Sequence, residues 1–166
     1  MERLLWVCLG GAAGSGARYL VSGWAHDWLG TGFAYGTLAV NLIGSFLLAL
    51  LMYVALSTDT MSPAVRLALT TGAMGGFTTY STFSYETMRY LQESAYLLAL
   101  VNVGVTVVGC LAASFAGYAV ARIGAAAVGA AAEKPELLIR SLLFVALAEG
   151  LAVLGFAIAM MLVQKI

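Results

Sequence analysis

Gly72-Ala73-Met74-Gly75-Gly76-Phe77-Thr78-Thr79-Tyr80-Ser81-Thr82-Phe83-Ser84 decides how this chain is read. The stretch lies inside a hydrophobic segment, yet three glycines occupy its first five positions, and five Ser or Thr residues and three aromatics follow. Glycine weakens a helix, and Ser and Thr compete for its backbone hydrogen bonds. In a bilayer, irregular backbone is tolerated only where protein buries it or where it lines a polar path. The composition therefore predicts a membrane helix interrupted at a functional place.

Working outward, the 166 residues are 62% hydrophobic and only 10% charged, against about 25% charged in ordinary soluble domains. The mean hydropathy is +0.96. These values predict an all-α integral membrane protein. The N-terminal apolar run is long and Gly-rich, and no small-x-small cleavage site follows it, so a cleaved signal peptide is not expected. The formal net charge of zero gives no argument for a nucleic-acid partner. Cys8 and Cys110 lie far apart in apolar segments, with no CxxC and no metal-ligand spacing, and are expected to be buried free thiols. Without a His or Lys base in reach of the Ser/Thr run, no nucleophilic site forms, and the chain is not expected to be an enzyme. The single histidine, His26, is expected in a loop.

Polar breaks at His26 to Tyr35, Ser57 to Pro63, Arg89 to Ser94 and Glu133 to Glu136 leave five apolar segments. Each has about 20 residues or more, enough to cross a core of about 30 Å. The first, roughly Leu4 to Trp24, carries Gly10-x-x-x-Gly14, a close-packing pattern. It also carries Arg18, either a snorkelling cation or an anion attractor at a pore mouth. The second, roughly Gly36 to Leu56, contains Asn41, whose carboxamide must find partners inside the membrane. The third opens on Ser62 as a cap with Pro63 in the first turn. Near its end Glu86 and Arg89, three apart, are expected to form a structural pair. The fourth, from Ser94 to about Ile123, places Asn102, Thr106 and Ser114 on one face, toward another helix or water. A Gly/Ala-rich run, Gly124 to Ala132, leads to a fifth segment, roughly Leu137 to Val163, with Glu149 near its middle. An acid there costs about 2.5–3.5 kcal/mol on insertion scales, so it is expected to be protonated, paired or functional.

Arg3, Arg66 and Arg122 stand on one side of the first four segments, and Arg18 and Arg89 on the other. This weak bias allows insertion in both orientations, and opposed copies can then build a midplane ion site.

Residues 1 to about 123 resemble the Fluc-type fluoride channels, the CrcB family. The matching runs are Gly16-Ala17-Arg18-Tyr19, Gly36-Thr37-Leu38 with Asn41 and Gly44-Ser45, and Gly75 through Ser84. The resemblance implies a four-helix channel subunit with a broken third helix, to which this chain adds a fifth transmembrane helix. It implies an antiparallel dual-topology homodimer in the cell (inner) membrane, two fluoride paths, and a sodium ion held at the dimer axis by the carbonyls of Gly75 and Thr78. Asn41, Tyr80 and Phe83 match the pore-lining asparagine and aromatic pair. Ser81, Thr82 and Ser84 match the hydroxyl track, with Thr106 and Ser114 facing from the fourth helix and Arg18 at the vestibule. Tyr80 departs from the family's usual phenylalanine.

The residue types suit the ion. Hydroxyl and amide donors replace fluoride's water, aromatic edges present positive partial charge, and conduction needs weak, multiple sites. Residues 124–166 form a second region. Ala132-Glu133-Lys134-Pro135-Glu136 followed by Phe144 to Gly150 resembles the loop and outer helix of the c-type (proteolipid) rotor protein of rotary ATPases, which suggests a fusion. In that family the matching glutamate, here Glu149, binds the transported proton or sodium ion. A rotor-type carrier, a small dual-topology cation exporter and a structural membrane subunit are the competing readings.

Overall fold

The computed structural model describes residues 1–57 and 61–134, with the isolated positions 139, 143, 146, 147, 150 and 154. Among the described residues every regular element is helical. Helix α1 spans Glu2–Leu29, with Glu2 favourably placed at its positive end. It stops at Gly30, whose φ of 81° admits a left-handed turn and whose N–H caps the His26 carbonyl at 2.9 Å. His26 thus belongs to the last helical turn and not to a loop, because the helix runs until glycine allows it to end. Helix α2 covers Tyr35–Ser57.

The third crossing is built in pieces. Helix α3, Pro63–Leu67, starts as expected: Ser62 accepts from the Val65 N–H at 3.4 Å, and Pro63 occupies the first turn. A π-helical segment, Ala68–Met74, follows, then the single turn α4, Gly75–Phe77. Thr78 and Thr79 are extended, and α5 resumes over Tyr80–Gln92. The interruption expected from the Gly72 to Ser84 composition thus falls at Thr78–Thr79. A tight turn, with Ser94 at φ 59°, leads to α6, Tyr96–Glu133.

Helices α1, α2 and α6 are each long and apolar enough to cross a membrane. The third crossing reaches comparable length only as α3 through α5 together. α6 does not stop near Ile123. The Gly/Ala run continues it to Glu133, for 38 residues, about 57 Å at about 1.5 Å per residue. Alanine is the best helix former, so nothing in that run forces an end.

Two helix pairs make the bundle. α1 runs against α3 through α4 with backbones nearly touching. A Cβ at Gly10 or Gly14 would strike the carbonyl oxygens of Ala68 and Ala73, and one at Gly72 or Gly76 would strike those of Val7 and Gly11. The Gly10-x-x-x-Gly14 signal is therefore used, and Gly72-x-x-x-Gly76 answers it from the other side. Dispersion across such close surfaces, and not water exclusion, joins helices in lipid. Ser15 adds a bond to the Gly76 carbonyl at 3.5 Å. α2 runs beside α6, and Leu38, Val40 and Asn102 are the most deeply buried side chains. One end is closed by Phe33, Tyr35 and Tyr90, with Phe33 stacked on Tyr90 at 6.2 Å. Cys8 faces outward from α1 and is exposed, contrary to expectation, because the glycines take the packed face; Cys110 is half-buried.

Candidate functional site

The site is the break itself. Where a helix stops and restarts, backbone N–H and C=O groups lose their intrahelical partners. Side chains replace them here. Asn41, buried on α2, donates from Nδ2 to the Thr79 carbonyl at 3.0 Å. Its Oδ1 accepts from the Thr79 N–H at 2.8 Å. One carboxamide therefore satisfies both polar groups of one peptide residue, its oxygen accepting while its NH2 donates. Thr79 then caps α5, accepting from the Thr82 N–H at 3.2 Å. Its hydroxyl also shares hydrogen bonds with Thr82 Oγ1 at 2.9 Å and Ser81 Oγ at 3.3 Å. On the other side Thr78 donates through Oγ1 and through its N–H to the Met74 carbonyl, each at 3.0 Å.

Several expected residues gather here. Tyr80 and Phe83 lie with ring centroids 5.6 Å apart. Phe83 is buried at 7% exposure, whereas Tyr80 is 79% exposed. Ser81, Thr82 and Ser84 are exposed on α5. Gly75 lies one turn before Thr78, and nothing would obstruct a side chain there. α5 thus has one face of aromatic rings turned inward and one of hydroxyls and Tyr80 turned outward.

Others sit apart. Arg18 is half-buried on α1, with no carboxylate in pairing range among the described residues. Ser114 donates to the Ser45 carbonyl on α2 at 3.4 Å. Thr106 is buried, and its hydroxyl has no partner among the described residues. Asn102, one turn earlier, donates to Thr87 Oγ1 at 2.9 Å, and Thr87 donates to the Phe83 carbonyl at 2.8 Å. The polar stripe of α6 therefore turns inward, toward α5 and α2. Glu149 lies outside the described residues.

Glu86 and Arg89 do not form the expected pair. Glu86 accepts from the Thr37 hydroxyl of α2 at 2.8 Å, and its Oε2 is buried without a partner among the described residues. Arg89 reaches Glu93 instead, at 3.6 Å. Residues three and four apart share a helix face equally well. Here Glu86 is drawn in by α2, while Glu93 stays at the exposed end with Arg89. Sequence reasoning missed Thr79, Thr37 and Thr87. Thr79-x-x-Thr82 at a helix restart is a legible capping signal. Thr37 and Thr87 carry no such mark, since their partners are remote in sequence or set by the fold.

Residues 5–118 match the family described as CrcB-like protein, Camphor Resistance (CrcB). Residues 103–162 match the C-subunit family of ATP synthase. A fluoride-specific ion channel FluC of Sorangium cellulosum is 51% identical over 122 residues, covering 74% of this chain and 96% of that protein. Proteins with the same name from Anaeromyxobacter dehalogenans and Citrifermentans bemidjiense are 52% and 49% identical, over 97% and 98% of their lengths.

Proposed function

The chain belongs to the CrcB family, and from that premise we propose that it is a passive channel that exports fluoride across the cell (inner) membrane as an antiparallel, dual-topology homodimer. The observation that carries the reading is the capped break at Thr78–Thr79, followed at once by the Tyr80–Phe83 pair and the exposed hydroxyls of α5. A break sets two helix ends back to back. The end of α4 presents carbonyls and partial negative charge; the start of α5 presents N–H groups and partial positive charge. Anions are favoured beside the second and cations beside the first.

In this reading fluoride exchanges its water for the hydroxyls of Ser81, Thr82 and Ser84 and for the ring edges of Tyr80 and Phe83, with Thr106 and Ser114 contributing from α6. Arg18 raises the anion concentration at a mouth. The Gly75 and Thr78 carbonyls would hold a structural sodium ion. Their chemistry fits, since hard cations take oxygen ligands and the space at Gly75 is open. Two carbonyls per chain are too few for a full shell, so the second copy supplies the rest. That copy would also cover the hydroxyl face of α5, which one chain leaves exposed. The ion passes without any bond being made or broken, so the protein is not an enzyme.

A second reading rests on the match to the ATP synthase family, which runs across the α6 extension into the tail. There residues 124–166 would be a fused region with an additional transmembrane helix, and Glu149 would bind a proton or sodium ion.

The test is fluoride efflux from liposomes with a chloride-loaded control. We expect fast fluoride release without chloride release, retained in Glu149→Gln and abolished in Phe83→Ile. Efflux lost in Glu149→Gln and retained in Phe83→Ile would transfer the function to the tail.

A further inference from the structure

The break in the third crossing is read by two residues of α2 that lie one turn apart. Asn41 holds the Thr79 peptide groups. Gly44, the other residue, faces Thr78. A Cβ on Gly44 would run into Thr78 Cγ2, and the Phe77 ring carbon Cδ1, at 3.2 Å, closes off a second direction. The Thr78 side chain has little freedom to withdraw. A β-branched residue is stiff at χ1, and here the hydroxyl is committed to the Met74 carbonyl at 3.0 Å. Turning the methyl away from Gly44 would break that bond.

We propose that Gly44 is a positioning residue for the ion path: its bare Cα is the seat for the Thr78 methyl, and this seat sets the direction of the Thr78 peptide at the break. The assignment rests on the channel reading for its consequence, since Gly44 touches no ion and acts only through Thr78. It explains why residue 78 is threonine. The hydroxyl closes α4 on Met74, the methyl fills the seat, and the backbone is left extended at φ −77° and ψ 158°. Serine would keep the first function and lose the second.

The test is a double-mutant cycle on the full chain with Gly44→Ala, Thr78→Ser and the pair together, read by fluoride efflux and by thermal unfolding. Gly44→Ala is expected to slow efflux by about tenfold or more, since overpacking forces a backbone shift. Thr78→Ser removes the opposing methyl and leaves the peptide without its seat, so it is expected to slow efflux by about threefold, less than Gly44→Ala does. The pair is expected to return to the Thr78→Ser level, a coupling that only contacting residues show. If Gly44→Ala fails to fold, restored folding and efflux in the pair carries the same conclusion. Efflux in Gly44→Ala equal to the parent overturns the proposal, as does a pair no better than Gly44→Ala alone. If the parent itself releases no fluoride, the channel reading falls, while the coupling in unfolding temperature still decides whether the seat exists.

Discussion

The two halves of the third crossing are held by opposite means. Before the break, Ala68 through Phe77 is pressed backbone to backbone on α1, and glycine is the feature that matters. After it, α5 packs through side chains, with Phe83 and Tyr90 inward and Tyr80, Ser81, Ser84 and Tyr85 outward. The first half finds its packing surface, α1, within the same chain. The second leaves a polar face exposed among the described residues, which in a bilayer calls for a second protein surface or a water-filled path. The difference teaches that the break separates a backbone-packed anchor from an exposed polar surface, with Asn41 on α2 as the joint.

The sharpest way to break this contrast is Gly14→Leu. Its side chain would enter the space of the Ala73 carbonyl and the Phe77 N–H. A backbone cannot yield as a rotamer can, so the loss should exceed about 3 kcal/mol, beyond ordinary overpacking. The expected result is loss of monodisperse protein on size exclusion, whereas Ser84→Leu on the outer face of α5 should leave the single subunit folded.

Next comes the joint. Asn41→Asp keeps an acceptor for the Thr79 N–H but sets a carboxylate oxygen against the Thr79 carbonyl. One buried group left unpaired costs about 1–3 kcal/mol. The unfolding temperature should fall measurably and fluoride efflux should stop. Unchanged efflux would mean that the clamp is dispensable.

The smallest effect tests whether the inward stripe of α6 is tuned for passage over stability. Thr106 buries a hydroxyl that has no partner among the described residues. Thr106→Val removes that hydroxyl at nearly constant shape and should stabilise the protein by about 1 kcal/mol, seen as a higher unfolding temperature. If Thr106 serves the ion path, efflux should fall while stability rises. A lower unfolding temperature would show that the hydroxyl has a partner after all.

Much of this was legible in the chain. The first four crossings, the Ser62 cap, the Gly10-x-x-x-Gly14 contact and the location of the break within one stretch all follow from local composition, because lipid forces backbone groups to be satisfied close by in sequence; the expected fifth segment, like Glu149, falls largely outside the described residues. The partners of Glu86 and Arg89 were not legible, since two carboxylates at helical spacing compete for one cation and only α2 decides between them. Nor was the length of α6, because a Gly/Ala run is compatible with both linker and helix.

By itself, then, the sequence determined an all-α membrane chain, its family over residues 5–118, and an interrupted third crossing. The tertiary structure alone decided that Asn41 grips Thr79, that Gly44 faces Thr78, and that the α6 stripe turns inward. The reason is reach. Helical periodicity says which residues share a face, but hydrogen bonds between residues 15 to 69 positions apart exist only once helices are set side by side.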